Sequence, residues 1–489
     1  MRKIYNLVLA MSFGTLAMSQ STIYVDIDAN GNNDGSSWNN AFTTLQDAID
    51  QANSGDEVWI AEGTYLPTKD ETGNESPATE AEKRFTWIQK ELNIYGGFNG
   101  TESAVSERDW KTHRVILSGD IGVQGEQQDN VVIVLKAQSL SSSMLDGVTI
   151  SHGKGVGIGT GGFYIMNCPG FTFRNCTVSN NTNIGQGGTH MTGSKVYLID
   201  SEFHDNHANE GGTSYISNST IIATGCVFHH NTSNQHSGNI TFNGSRNNEQ
   251  NTFANCLFHH NTAGKIAGGG LFFYSVAPGS NIINCTFANN DAPNGTAIGS
   301  NGVALNIHNS IFWGGTGSTQ VYESNGSDSI ITIQNSLVQG GYPNSTTVIT
   351  SPPEFKDSSN LDFTLLPNSP AIDGGDSTGI SQWIPSTDLA GLNRYSGAAI
   401  DMGCYEFESS SASLDEINPV SFTAYPNPFS DLIQLSETAK VELFNLQGQL
   451  VYENEIESTQ LNLAHLEPGV YVLLATSDNW KKSIRVIKK

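Results

Sequence analysis

Residues 223–231, ATGCVFHHN, and 253–261, FANCLFHHN, are near copies of one another, and the same phrase returns along the chain. Degenerate versions stand at 173–181 (FRNCTVSNN), 199–207 (IDSEFHDNH), 282–290 (IINCTFANN), 307–315 (IHNSIFWGG) and 333–341 (IQNSLVQGG), with a weaker copy at 145–153 (LDGVTISHG). Taking the central Cys or Ser as an anchor gives Cys176, Ser201, Cys226, Cys256, Cys285, Ser310 and Ser336, separated by 25, 25, 30, 29, 25 and 26 residues. A period of this size without helical patterning marks stacked coils of short strands. Two residues past each anchor stands Val178, Phe203, Phe228, Phe258, Phe287, Phe312 or Val338. That spacing puts the anchor and the apolar residue on one inward face. The body is therefore expected to be an all-β, right-handed parallel β-helix.

Five residues past the anchor, Asn181, Asn206, Asn231, Asn261 and Asn290 recur in consecutive coils. An Asn repeated at the interstrand spacing can pass amide hydrogen bonds along the axis and satisfy corner carbonyls, so this column reads as a structural ladder. Cys226, Cys256 and Cys285 would stack inside the coil, with Cys176 in the same column, as small core hydrophobes. Cys168 and Cys404 fall outside that column.

Positions one and three past the anchor should face outward, where a solenoid displays function. At plus three stand His204, His229 and His259, and at plus four Asp205, His230 and His260. Imidazoles in such a row suit a transition metal, and His229, His259 and Asp205 are candidates for general acid–base work. The plainer reading is a duplicated, solvated polar edge. Near the start, Asp26, Asp28, Asn30 and Asp34 match the opening of a calcium loop, although Ser37 stands where the bidentate acid is expected. Tyr164, Tyr215, Phe273, Tyr274 and Trp313 would stack on sugar rings if exposed in a row, but are more simply packing residues.

The chain carries 48 acidic against 23 basic residues, a formal charge of −25, which disfavours nucleic acid, anionic lipid and unbridged anionic polysaccharide as partners. Residues 1–19 read as a secretory signal, with Arg2 and Lys3 before an apolar run from Ile4 to Leu16 and cleavage expected before Gln20. No later stretch is apolar enough to predict a transmembrane segment. Thr44 caps a short predicted helix whose Leu45, Ala48, Ile49 and Ala52 share one face and would close the open first coil. The organisation is thus a signal at 1–19, a β-helix over 20–407 ending in last coils and a cap, and a polar linker at 408–422. Residues 423–489 form a region of short alternating strands consistent with a small β-sandwich.

The segment from Tyr425 to Lys489, with YPNPF, NLQGQLV, LEPGVYVL and a basic end, resembles the C-terminal sorting domain of the type IX secretion system. That resemblance implies export across an outer membrane of a Gram-negative bacterium, with the secretion machinery as a partner and a secreted or surface-attached product. LQDAIDQANSGDEVWIAEGTY is similar to the capping helix and first strand of pectin-lyase-like β-helix proteins. PAIDGGD and DLAGLNRYSGAAIDMGCYE resemble the end of a β-helix group described by its anchor type. The coils are similar to polymorphic outer-membrane-protein repeats. The Gly-His-Gly of polygalacturonases is absent, the nearest string being Ser151-His152-Gly153. Two functions follow as expectations: a glycan-binding protein or adhesin engaging extracellular polysaccharide, or a polysaccharide lyase or glycoside hydrolase.

Overall fold

The structure, a computed structural model, describes residues 20–157, 161–324, 331–343, 345, 347–408, 423–445, 449–477 and 480–489. The signal at 1–19 and nearly all of the 408–422 linker lie outside the described residues. The chain divides into two compact units, one ending at Phe407 and one beginning at Glu408.

The first unit is a parallel β-solenoid. Among the described residues its coils build an 11-stranded sheet from Thr22–Val25 to Ile331–Gln334, a second 11-stranded sheet from Gly63–Tyr65 to Val348–Ile349, and a nine-stranded sheet from Phe85–Ile88 to Val321–Glu323. A short five-stranded sheet, Lys154–Gly155 to Thr262–Ala263, bridges the second and third over the middle coils.

Corners are made by single residues in left-handed backbone, a conformation open chiefly to Gly, Asn, Asp and His. Immediately before the anchor this residue is Gly147, Asn175, Asp200, Gly225, Asn255, Asn284, Asn309 or Asn335. At plus four it is His152, Asn180, Asp205, His230, His260, Asn289 or Gly314. The plus-four histidines therefore occupy a turning position, and the backbone restricts what can stand there.

Inside, Phe203, Phe228, Phe258, Phe287 and Phe312 form one stack with ring centroids 4.4 to 4.9 Å apart. The Asn column lies beside it, fully buried. Each Asn Nδ2 donates to the Oδ1 of the next, Asn181 to Asn206 at 3.1 Å, Asn206 to Asn231 at 3.0 Å, Asn231 to Asn261 at 3.0 Å and Asn261 to Asn290 at 2.9 Å. The same Nδ2 also donates to a carbonyl one coil back, such as Phe203 O for Asn231 at 2.8 Å.

All six cysteines are free and buried. Burial pushes the thiols of Cys176 and Cys404 up to about 12, so neither supplies a thiolate. Cys168 begins a second column that the repeat alignment missed: its amide donates to Ser194 Oγ, and the Ser194 amide donates to Ser219 Oγ, both at 3.0 Å.

The helix Leu45–Gln51 is capped by Thr44, whose side chain accepts from the Asp47 amide, and it adds Leu45, Ala48 and Ile49 to the solenoid core. At the other end the chain departs from the expected last coils. After Val348–Ile349 a hairpin, Phe355–Asp357 with Asp362–Leu365, and the loops to Phe407 turn back along the outer face of the second sheet. The reason is visible in the outward residues of that sheet. Thr177 and Glu202 give way to Leu257, Ile311 and Leu337, an apolar surface that the returning strap buries with Phe363, Leu365, Ala371, Met402 and Cys404. Arg394 fastens the strap, donating to Glu406 Oε1 at 2.6 Å and to Asn255 Oδ1 from a fully buried position.

The second unit is antiparallel, with strands Ala424–Tyr425, Leu432–Phe444, Leu450–Asn462, Gly469–Ser477 and Trp480–Lys488. Register shifts along Leu432–Phe444 bend it, so that alternate residues Ile433, Leu435, Ala439, Val441 and Leu443 all reach one core.

Candidate functional site

Ahead of the strap, the outer face of the second sheet remains open as a groove. Its floor is the plus-one and plus-three residues of successive strands, Ile116 and Ser118, Thr149 and Ser151, Thr177 and Ser179, then Glu202 and His204. Two cavities lie along it, of about 610 Å³ and about 280 Å³, and both are lined by Thr149 and Arg114. Arg114 arrives on a loop that Arg108 holds in place. Arg108 Nη2 meets the buried Asp146 carboxylate at 2.6 Å, and its Nη1 donates to Gly96 O at 2.9 Å. The same loop presents Trp110 and Lys111 to the smaller cavity.

The histidine row keeps its register, with His204 paired to His229 and His229 to His259. The rings stack face to face, His204 on His229 at 4.9 Å and His229 on His259 at 4.8 Å, and His230 on His260 at 5.3 Å. The row is not, however, uniformly solvated as expected. His259 is 4% exposed, because Phe363 of the strap lies 5.2 Å over its ring. Burial first, then the neighbouring imidazoles, push its pKa down to about 3, so it stays neutral and sealed from any substrate.

Chemistry separates the remaining members. His204 Nδ1 lies 2.7 Å from Asp205 Oδ2. An ionised carboxylate only accepts, so in the neutral ring Nδ1 carries the proton and Nε2 the lone pair. His204 lines the larger cavity beside Arg114, Asp120, His152, Ser179 and Asn180. His229 is fully engaged, Nε2 on Glu202 Oε1 and Nδ1 on His230 Nδ1, each at 2.8 Å. The hydrogen bond from His229 holds the Glu202 carboxyl below its usual range, and burial lowers His230 and His260. Asp205 thus orients His204, and the imidazoles of His204 and His152 both line the cavity.

Neither expected metal site is assembled. Among the described residues no three His, Cys, Asp or Glu side chains are gathered to hold an ion. His204, His229 and His259 form one stack and His230 and His260 another, and the two stacks meet edge to face with His229 Nδ1 engaged by His230 Nδ1 and His259 Nδ1 by His260 Nδ1. In the Asp26, Asp28, Asn30, Asp34 loop the oxygens are used locally. Asp26 Oδ1 accepts from the Asp28 amide at 2.9 Å, Asn30 Nδ2 donates to Asp28 O at 2.9 Å, and Asp34 Oδ1 accepts from the Ser36 amide at 2.9 Å. Of the aromatic candidates, Phe273 is core, stacked on Phe242 at 4.9 Å, and Trp313 packs against the strap cluster.

Arg114, Asp120, His152 and Glu202 were not picked out from sequence. His152 had a signal, since it holds the plus-four place of the weakest repeat copy, the position of Asp205, His230 and His260 elsewhere. Arg114 had none, because it precedes the first recognisable copy.

Residues 131–312 match the family model described as right handed beta helix region, and residues 423–489 match that of the secretion system C-terminal sorting domain. Over 101 residues the chain is 29% identical to the ulvan lyase NLR42 of Nonlabens ulvanivorans, a match spanning 19% of this chain and 19% of that relative's length. A pectate lyase, Pel9A, superposes over 80% of this chain and 97% of its own with 15% identity and a TM-score of 0.44. A rhamnogalacturonan lyase does so over 69% and 90% with 13% identity and a TM-score of 0.27.

Proposed function

We infer that this exported β-helix, addressed by a type IX sorting domain, acts on an extracellular polysaccharide held in the groove of the second sheet, and that it cleaves an acidic chain there by elimination. The observation that supports this is the concentration of unlike groups in a few coils: a guanidinium shared by two cavities, a carboxylate-oriented imidazole with a free nitrogen, and further imidazole and carboxylate groups on the same wall. A binding or spacer surface has no need to gather them, since polar residues spread evenly along the solenoid would serve.

In this reading Arg114 pairs with a uronate carboxylate, which makes the adjacent ring proton more acidic. His204 Nε2 removes that proton, the electron pair forms the C4–C5 double bond, and the C4–O glycosidic bond breaks. The departing oxygen takes a proton from His152 or water. The cell surface or its surroundings, reached through the secretion machinery, is the place of action.

Incubation of the mature protein with acidic and neutral polysaccharides, followed by the ultraviolet absorbance of unsaturated uronates, tests the proposal. Arg114→Ala and His204→Ala should each lower product formation by about a hundredfold or more while the protein stays folded. Binding without product from any acidic polysaccharide would replace this reading with that of a glycan-binding adhesin.

A further inference from the structure

The nine-stranded sheet carries a second concavity, of different chemistry, on its own outer face. In the strand Ile240–Asn243, Ile240 and Phe242 belong to the core, so Thr241 and Asn243 face out. Register places Thr241 between Tyr215 and Phe272, and Asn243 between Ser217 and Tyr274. At about 4.8 Å per strand the two aromatic residues flanking Thr241 spring from backbones about 9.6 Å apart, with only a threonine between them. The gap is a pit of about 210 Å³ that Glu210, His236 and Tyr274 help to line.

Its walls are fixed and its floor is polar. Tyr215 is backed by His190, stacked at 5.7 Å, and its hydroxyl accepts from Asn243 Nδ2 at 2.7 Å. His236 packs on Phe272 at 4.9 Å. Thr241 is 4% exposed; among the described residues its Oγ1 and His236 Nδ1 have no hydrogen-bond partner, and both atoms are buried beneath the pit surface. Tyr274, 44% exposed, stands at the lip.

The exposed ring of Tyr274, with the side chains of Glu210 and Asn243 beside it, matches a pyranose ring, which offers C–H faces and a hydroxyl edge. The charged side chain lining the pit is the Glu210 carboxylate, which disfavours an anionic sugar. The geometry points to a binding site for an uncharged pyranose residue, a chain end or a branch sugar. The site is separate from the groove and independent of whether the groove cleaves.

The test titrates the full chain with methyl glycosides of glucose, galactose, mannose and N-acetylglucosamine, and with galacturonate, by calorimetry and saturation-transfer NMR. Saturable binding of at least one neutral glycoside is expected. Tyr274→Ala and Asn243→Ala should each weaken it by about fivefold or more, the loss expected for one ring contact or one hydrogen bond. Arg114→Ala, which tests the groove reading separately, should leave it unchanged. Failure of every neutral glycoside to bind, indifference to both pit substitutions, or loss of binding in Arg114→Ala would overturn the assignment.

Discussion

Asn231 shows how much one side chain does when a fold repeats. Its Oδ1 accepts from both the amide and the Nδ2 of Asn206, while its own Nδ2 donates forward to Asn261 and back to Phe203 O. Asn231→Ala removes all of these in a place water cannot reach. Denaturant titration should show a loss of about 1–3 kcal/mol. Histidine 259 gives a pH prediction with a definite sign. Its folded pKa, about 3, lies below the ordinary value of 6.5, so the folded state binds fewer protons than the unfolded chain. Stability from this residue is complete above pH 6.5 and falls as pH drops toward 3, by about 2 kcal/mol at pH 5. His190, pushed down to about 4 by burial, adds in the same direction. His259→Gln, neutral throughout, should flatten the slope of stability against pH in that interval. The inward phase of the anchor and plus-two residues was legible from a two-residue alternation, and the Asn ladder from its recurrence at one position in successive coils. That His230 and His260 turn corners was not, since backbone sign is not encoded in a hydrophobic pattern.

At the scale of elements the strap is the feature that sequence reading missed, and the signal was present in the outward positions. Leu257, Ile311 and Leu337 break the polar series begun by Thr177 and Glu202, and an apolar outer face on a solenoid needs a cover. The repeat had been aligned by what it keeps constant, which hides what changes along it. Arg394 offers the sharpest test of the strap. Arg394→Ala leaves the Glu406 carboxylate buried and unpaired and orphans Asn255 Oδ1, a change that costs about 3–5 kcal/mol. Limited proteolysis should then cut between residues 350 and 407 well before the coils are attacked. Cleavage no faster than in the unaltered protein would mean that the apolar contacts of Phe363 and Met402 hold the strap without the ion pair.

For the whole molecule, the division at Phe407 and the sorting-domain match over 423–489 lead to a prediction about export. A chain ending at Phe407 should fold, with the thermal transition of the body unchanged, yet remain inside the producing cell; the measurement is its partition between cell and medium. The solenoid and the sorting unit were both readable because each has a strong period or motif of its own. The groove was not, because it exists only where a loop around residues 108–114 meets strands up to about 90 positions later, and no local pattern records such a meeting.

The strap also sets an order of events. Its anchors join residues far apart in the chain, Arg394 with Asn255 and the Cys404 amide with Thr286 Oγ1, across 139 and 118 positions. Parallel coils can add one on the last as the polypeptide emerges, but the wall that seals His259 cannot form until the final part of the body has arrived. A partly delivered chain therefore carries its coils, and the cavities lined by residues up to His204, before the cover over Leu257, His259 and Ile311 exists, so an apolar outer face stays bare until delivery is complete.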